Sequence, residues 1–97
     1  MPPATRLGDI DTGHSSFPPT AVIGSSGDVF TNHRPSTRVA DPLAPHGSPS
    51  PSPPHGRAVA AGSGTVFINK RPAVRIGDPI NCGGTIATSS GDVFIGG

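Results

Sequence analysis

The chain has 97 residues with a formal net charge of +1, and only 13% of them are charged. Four Phe and no Trp or Tyr leave little to build a large core, while Gly (14) and Pro (13) are unusually frequent. A near-neutral chain with scattered Lys and Arg is a poor nucleic-acid binder, and no run approaches the roughly 20 apolar residues of a membrane helix.

In chain order, Met1 to Arg6 has no apolar leader region, so a protein made in the cytoplasm without a signal peptide is expected. Thr5-Arg6-Leu7-Gly8-Asp9 then opens a pattern that returns as Thr37-Arg38-Val39-Ala40-Asp41 and as Val74-Arg75-Ile76-Gly77-Asp78. After each copy comes a β-branched residue in a short run: Val22, Val59 and Ile86. Seven residues after each of these stands the Val of Ser26-Gly27-Asp28-Val29-Phe30, Ser63-Gly64-Thr65-Val66-Phe67 or Ser90-Gly91-Asp92-Val93-Phe94. These are strand-favouring residues separated by Ser/Gly turns. The following Thr31-Asn32-His33-Arg34-Pro35 and Ile68-Asn69-Lys70-Arg71-Pro72 read as turns, because Asn tolerates positive φ and Pro fixes φ. No apolar pattern of helical period is sustained, so the predicted class is all-β.

Ordering the backbone costs about 1–2 kcal/mol per residue, and a chain this short of core residues needs a metal, a disulfide or a partner. The single cysteine, Cys82, excludes an internal disulfide. Three β units that cannot each bury a face are expected to bury it together, most simply as a pseudo-threefold ring. Phe30, Phe67 and Phe94 become equivalent in such a ring and are expected as core residues, able to meet near the axis. Ser48 to Pro54 has polyproline character but interrupts the second repeat, so residues 1–97 are read as one domain with a surface insertion. Each Arg of the repeat can pair with the Asp three residues on, bridge a neighbouring repeat, or remain solvated.

The histidines follow the same alignment. His14 lies five residues after Asp9, His46 five after Asp41, and Cys82 four after Asp78. His55 joins them from the enlarged second loop. Three imidazoles and one thiolate are a donor set suited to tetrahedral Zn²⁺. His33 is aligned with Lys70 and Gly96 and is expected to be exposed and outside this set. Four donors close the coordination shell, and the chain has no Glu. Asp11 is the only acid near the first ligand, so an enzyme is not expected.

The elements Pro3-Ala4-Thr5-Arg6, Pro35-Ser36-Thr37-Arg38 and Pro72-Ala73-Val74-Arg75, with Gly13-His14, Val66 to Asn69 and Cys82-Gly83-Gly84, resemble the PAAR-repeat family across essentially the whole chain. The resemblance implies a small conical fold of three pseudo-threefold-related β repeats with long loops, stabilised by Zn²⁺ on His14, His46, His55 and Cys82 near the sharp end. It implies a structural cap, one copy per trimer, on the VgrG-like β-helical spike of a type VI secretion system or a contractile phage tail. Effector proteins and transient contact with a target membrane would follow, with delivery out of the cell by the machine. With nothing after Gly97, no attached toxin domain is expected. An unrelated small zinc-binding interaction module is the alternative. Ser36, Ala40 and the long Ser/Pro segment depart from the family pattern.

Overall fold

The computed structural model describes residues 1–13, 19–46, 55–81 and 83–97. Among these residues there is no helix, and the secondary structure is entirely β. The radius of gyration is 12.8 Å, close to the roughly 12.5 Å expected of a compact chain of this length.

Three antiparallel pairs carry the regular structure. Strands β1 (Phe30–Thr31) and β2 (Arg34–Pro35) form one, β3 (Pro42–His46) and β4 (His55–Ala58) the second, and β5 (Phe67–Ile68) and β6 (Arg71–Pro72) the third. The β1–β2 and β5–β6 hairpins turn through Asn32-His33 and Asn69-Lys70, with φ of 53° and 66° and of 54° and 67°. Positive φ at both central residues is the signature of a type I′ turn, whose twist matches that of the strands it joins. His33 is exposed at one turn tip, as its alignment implies.

The segments around Val22, Val59 and Ile86 make isolated bridges, Val22 with Leu43, Val59 with Ile80 and Ile86 with Asp11, instead of full strands. A third Phe–Pro contact joins Phe94 to Pro3, matching Phe30 with Pro35 and Phe67 with Pro72. Residues near the two ends of the sequence thus supply the pairing that a hairpin supplies elsewhere.

Backbone hydrogen bonds link equivalent residues in closed cycles. Thr37 N–H donates to Thr5 O (3.1 Å), Val74 N–H to Thr37 O (3.1 Å) and Thr5 N–H to Val74 O (2.9 Å). Leu7, Val39 and Ile76 likewise donate to Pro35, Pro72 and Pro3. Val22, Val59, Ile86, Leu43, Ile80 and Val74 form one buried cluster, and Ala4, Ile68, Ala73 and Ile95 a second. Each large aliphatic side chain contributes roughly 1.5–3 kcal/mol by leaving water.

The expectation for the Phe residues is corrected here. Phe30, Phe67 and Phe94 are 58%, 57% and 49% exposed. The next residues, Thr31, Ile68 and Ile95, are the buried ones. Successive residues of a strand point to opposite faces, and the closure turns Thr31, Ile68 and Ile95 inward. Placement in the repeat shows that the three Phe are equivalent, but not which face is covered.

The Arg and Asp residues of the repeat are paired, both within a turn and between repeats. Arg6, Arg38 and Arg75 each grip both carboxylate oxygens of Asp9, Asp41 and Asp78 through Nε and Nη2, at 2.8–3.1 Å. The same Asp accepts the backbone N–H of its Arg, which fixes the turn. Arg71 from the next repeat adds a bond to Asp41 Oδ1 at 2.9 Å, and Arg34 lies 3.7 Å from Asp9 Oδ1. The three carboxylates are buried, where charge-assisted bidentate contacts are strongest. Burial pushes the Asp9 carboxyl up. Hydrogen bonds from Arg6 and Thr88 and the charge of Arg6 outweigh it, leaving its pKa below the ordinary value.

Candidate metal centre

His14 and Cys82 lie outside the described residues, as does the Ser48 to Pro54 insertion. His46 and His55 are placed by their backbone. The β3–β4 register sets His46 opposite His55, so two of the four expected donors are cross-strand partners at one end of a ladder. Between Leu43 and His46 the register shifts by a bulge. Pro45 lies in that stretch, where its missing N–H removes no regular ladder bond.

The flanks of the expected donors converge. Thr12 N–H donates to Thr85 O (2.8 Å), and Thr85 N–H returns to Thr12 Oγ1 (3.1 Å). That brings the approach to His14 beside the exit from Cys82. A Cβ on Gly84, whose φ is +82°, would stand 2.7 Å from Gly13 O. Only glycine fits so close an approach at that backbone angle, which accounts for one of the two glycines after Cys82. On the other side of Cys82, Asn81 N–H donates to Ala58 O (2.9 Å) and Asn81 Oδ1 accepts Ala58 N–H (3.2 Å). Ala58 closes the strand that begins with His55. Ala44 N–H donates to Ala21 O (2.8 Å), tying β3 to the segment that follows the first loop.

Beneath these flanks lies a group that repeat alignment left unread. Arg57 and Asp11 form an ion pair whose side chains are 0% exposed. Arg57 Nη1 donates to Asp11 Oδ1 at 3.2 Å, and Nη2 donates to Asp11 Oδ2. Arg57 Nη1 also donates to Thr20 Oγ1, and Thr20 N–H donates to Asp11 Oδ1 at 2.9 Å. The sequence carries a signal for it. Counting from the repeat Asp, Asp11 stands where the other copies have Leu43 and Ile80. Counting back from Val22, Val59 and Ile86, Arg57 stands where they have Thr20 and Gly84. A charge of each sign replacing an apolar or small residue at matched depth is the mark of a buried pair.

Three imidazoles and one thiolate, on loops whose roots are bonded to one another, suit a closed four-coordinate zinc site. Among the described residues no group of His, Cys, Asp or Glu clusters as a metal site by itself.

Comparison with curated proteins found no match. The PAAR motif, by contrast, matches residues 12–88, well over half of the chain and spanning all four expected donors. The chain therefore belongs to the PAAR-motif family, whose motif is associated with spike-tip proteins of contractile injection systems.

Proposed function

We propose that this protein is the structural cap of the spike of a contractile injection system, seated one copy per VgrG-like or phage-type spike trimer. The observation that carries the reading is the closed cycle of backbone hydrogen bonds through Thr5, Thr37 and Val74. Three equivalent residues of one chain bonded head to tail support the reading of pseudo-threefold character. It can meet a trimer without itself being a trimer. Under that symmetry Phe30, Phe67 and Phe94 form one apolar ring, and their exposure supports a role in contact. Val29 and Val66, both partly exposed, extend it.

On this reading the loops of His14, His46, His55 and Cys82 would form the other end of the proposed cone and would hold Zn²⁺. Bound zinc would supply a rigid closed crosslink and no catalytic step, since four protein donors leave no open position. A narrow tip that resists unfolding suits a device driven through a membrane. Delivery follows the machine, and effector proteins are candidate passengers on the exposed surface.

Mixing the protein with a purified spike trimer and separating by size tests the proposal. Wild type co-elutes with the trimer. The variant carrying Phe30→Asp, Phe67→Asp and Phe94→Asp stays folded and elutes alone. A wild type that never joins any spike trimer, or a triple variant that binds equally well, overturns it.

A further inference from the structure

We propose that Arg57 and Asp11, with Thr20, are positioning residues that hold the zinc-bearing loops in place before any metal arrives; this rests on the zinc reading given above. The pair joins two segments distant in sequence. Arg57 is two residues after His55, and Asp11 is three residues before His14. Both guanidinium nitrogens Nη1 and Nη2 engage Asp11, so the contact fixes orientation as well as distance. Thr20 Oγ1 accepts from Arg57 while its own N–H donates to Asp11, which ties in the segment leaving the first loop.

The position of the pair is as informative as its bonds. Leu43 and Ile80, which match Asp11 in the other repeats, belong to the apolar cluster with Val22, Val59 and Ile86. The ion pair therefore stands at the edge of that cluster, with Asp11 bridged to Ile86 and beside Gly84, which approaches Gly13. Gly84 leaves room for it: a Cβ there would come within 3.2 Å of Asp11 Oδ2. A pair of charges taken wholly out of water is weak evidence for stability, because apolar residues of similar volume often serve as well. Directional bonds are what apolar packing does not replace. Beside a metal centre such outer contacts set ligand orientation, and losing them typically lowers metal affinity 10–100-fold.

The test compares wild type, Cys82→Ser, Arg57→Lys and the double variant Asp11→Leu with Arg57→Met. Cobalt(II) is the probe, because its visible absorption reports tetrahedral coordination, and its affinity is read by competition with a chromogenic chelator. The metal-free double variant is expected to melt near the wild-type temperature, while its cobalt affinity falls 10–100-fold and its absorption band weakens. Arg57→Lys, which keeps the charge but not the fork, shows an intermediate loss. Hydrogen exchange on metal-free wild type provides a readout independent of any variant. The amides of Thr12, Thr20, Ala58 and Thr85 are expected to be protected without metal.

Unchanged cobalt affinity in the double variant, or unprotected amides at those positions in the metal-free protein, overturns the positioning role. If instead wild type and Cys82→Ser bind cobalt equally, the zinc reading itself fails. The two failures are thus separable.

Discussion

Thr5, Thr37 and Val74 occupy equivalent buried places, yet their polar atoms fare differently. Thr37 Oγ1 pairs with Ser25 Oγ at 3.2 Å, whereas Thr5 Oγ1 has no hydrogen-bond partner among the described residues. An unsatisfied buried hydroxyl costs about 1–3 kcal/mol. Thr5→Val copies what the third repeat already carries and is expected to raise stability by about 1 kcal/mol in urea melts. Thr37→Val is expected to gain nothing. A second contrast concerns backbone angle. Gly8, Ala40 and Gly77 stand at one repeat position with φ of 89°, 75° and 87°. A Cβ in the left-handed region costs about 1–2 kcal/mol, partly offset by the extra freedom glycine has when unfolded, about 0.5–1 kcal/mol. Ala40→Gly should therefore stabilise by about 0.5 kcal/mol. Gly77→Ala should destabilise by about 1 kcal/mol although a Cβ there meets no atom within 4 Å.

The depressed pKa of Asp9 sets a pH dependence whose sign follows directly. Its stabilising effect is fully present above the unfolded carboxyl value of about 3.9. It is lost as pH falls through the lower folded value, where the unfolded state binds the proton more readily. Asp28, bonded by Asn69 and Ser26, and Asp92, bonded by Asn32 and Ser90, are shifted in the same direction. Asp9→Asn is expected to cost about 2–3 kcal/mol near neutral pH, the scale of lost hydrogen bonds to a charged group. The gap to wild type should close in acid as the wild-type carboxylate is protonated, which melts across pH would read.

At the scale of elements, the turns after each Phe act as straps between repeats. Asn69 Oδ1 accepts Ser26 Oγ–H at 2.7 Å and Arg38 Nη1–H at 3.0 Å, while its Nδ2 donates to Asp28 at 2.9 Å. Asn32 does the same toward Ser90 and Asp92. In the remaining corner the carbonyl of Gly96 accepts Ser63 Oγ–H at 2.6 Å. The straps run from the first repeat to the third, the second to the first and the third to the second. Asn69→Ala removes the side-chain bonds and places a Cβ-bearing residue at a φ of 54° without the tolerance of Asn. A loss of about 2 kcal/mol is expected in thermal or urea melts. His33→Ala, in an exposed turn position, should stay within about 0.5 kcal/mol of wild type.

Across the whole molecule, cycles of backbone hydrogen bonds join the two small apolar clusters, and on the proposed zinc reading a metal would close the loops that carry His14, His46, His55 and Cys82. Elemental analysis is expected to find about one zinc per chain, as one closed four-donor site requires. Chelation or Cys82→Ser should lower the melting temperature by more than about 10 °C, a change of a few kcal/mol in a domain of this size. His33→Ala serves as the control; equal effects of the two substitutions would remove zinc from the account.

Local rules carried much of this protein into view from sequence alone. The all-β character and the Asn turns depend on residues within a few positions of one another, and the equivalence of Phe30, Phe67 and Phe94 on copies compared at equal offset. The exposure of the Phe residues, the pairing of Phe94 with Pro3 and the grip of Arg57 on Asp11 depend on closure instead. Strand alternation says that Phe67 and Ile68 face opposite ways, but only contacts from distant repeats decide which of them meets water. An Arg and an Asp 46 positions apart become partners because the closed backbone brings them together away from water, where each charge requires the other.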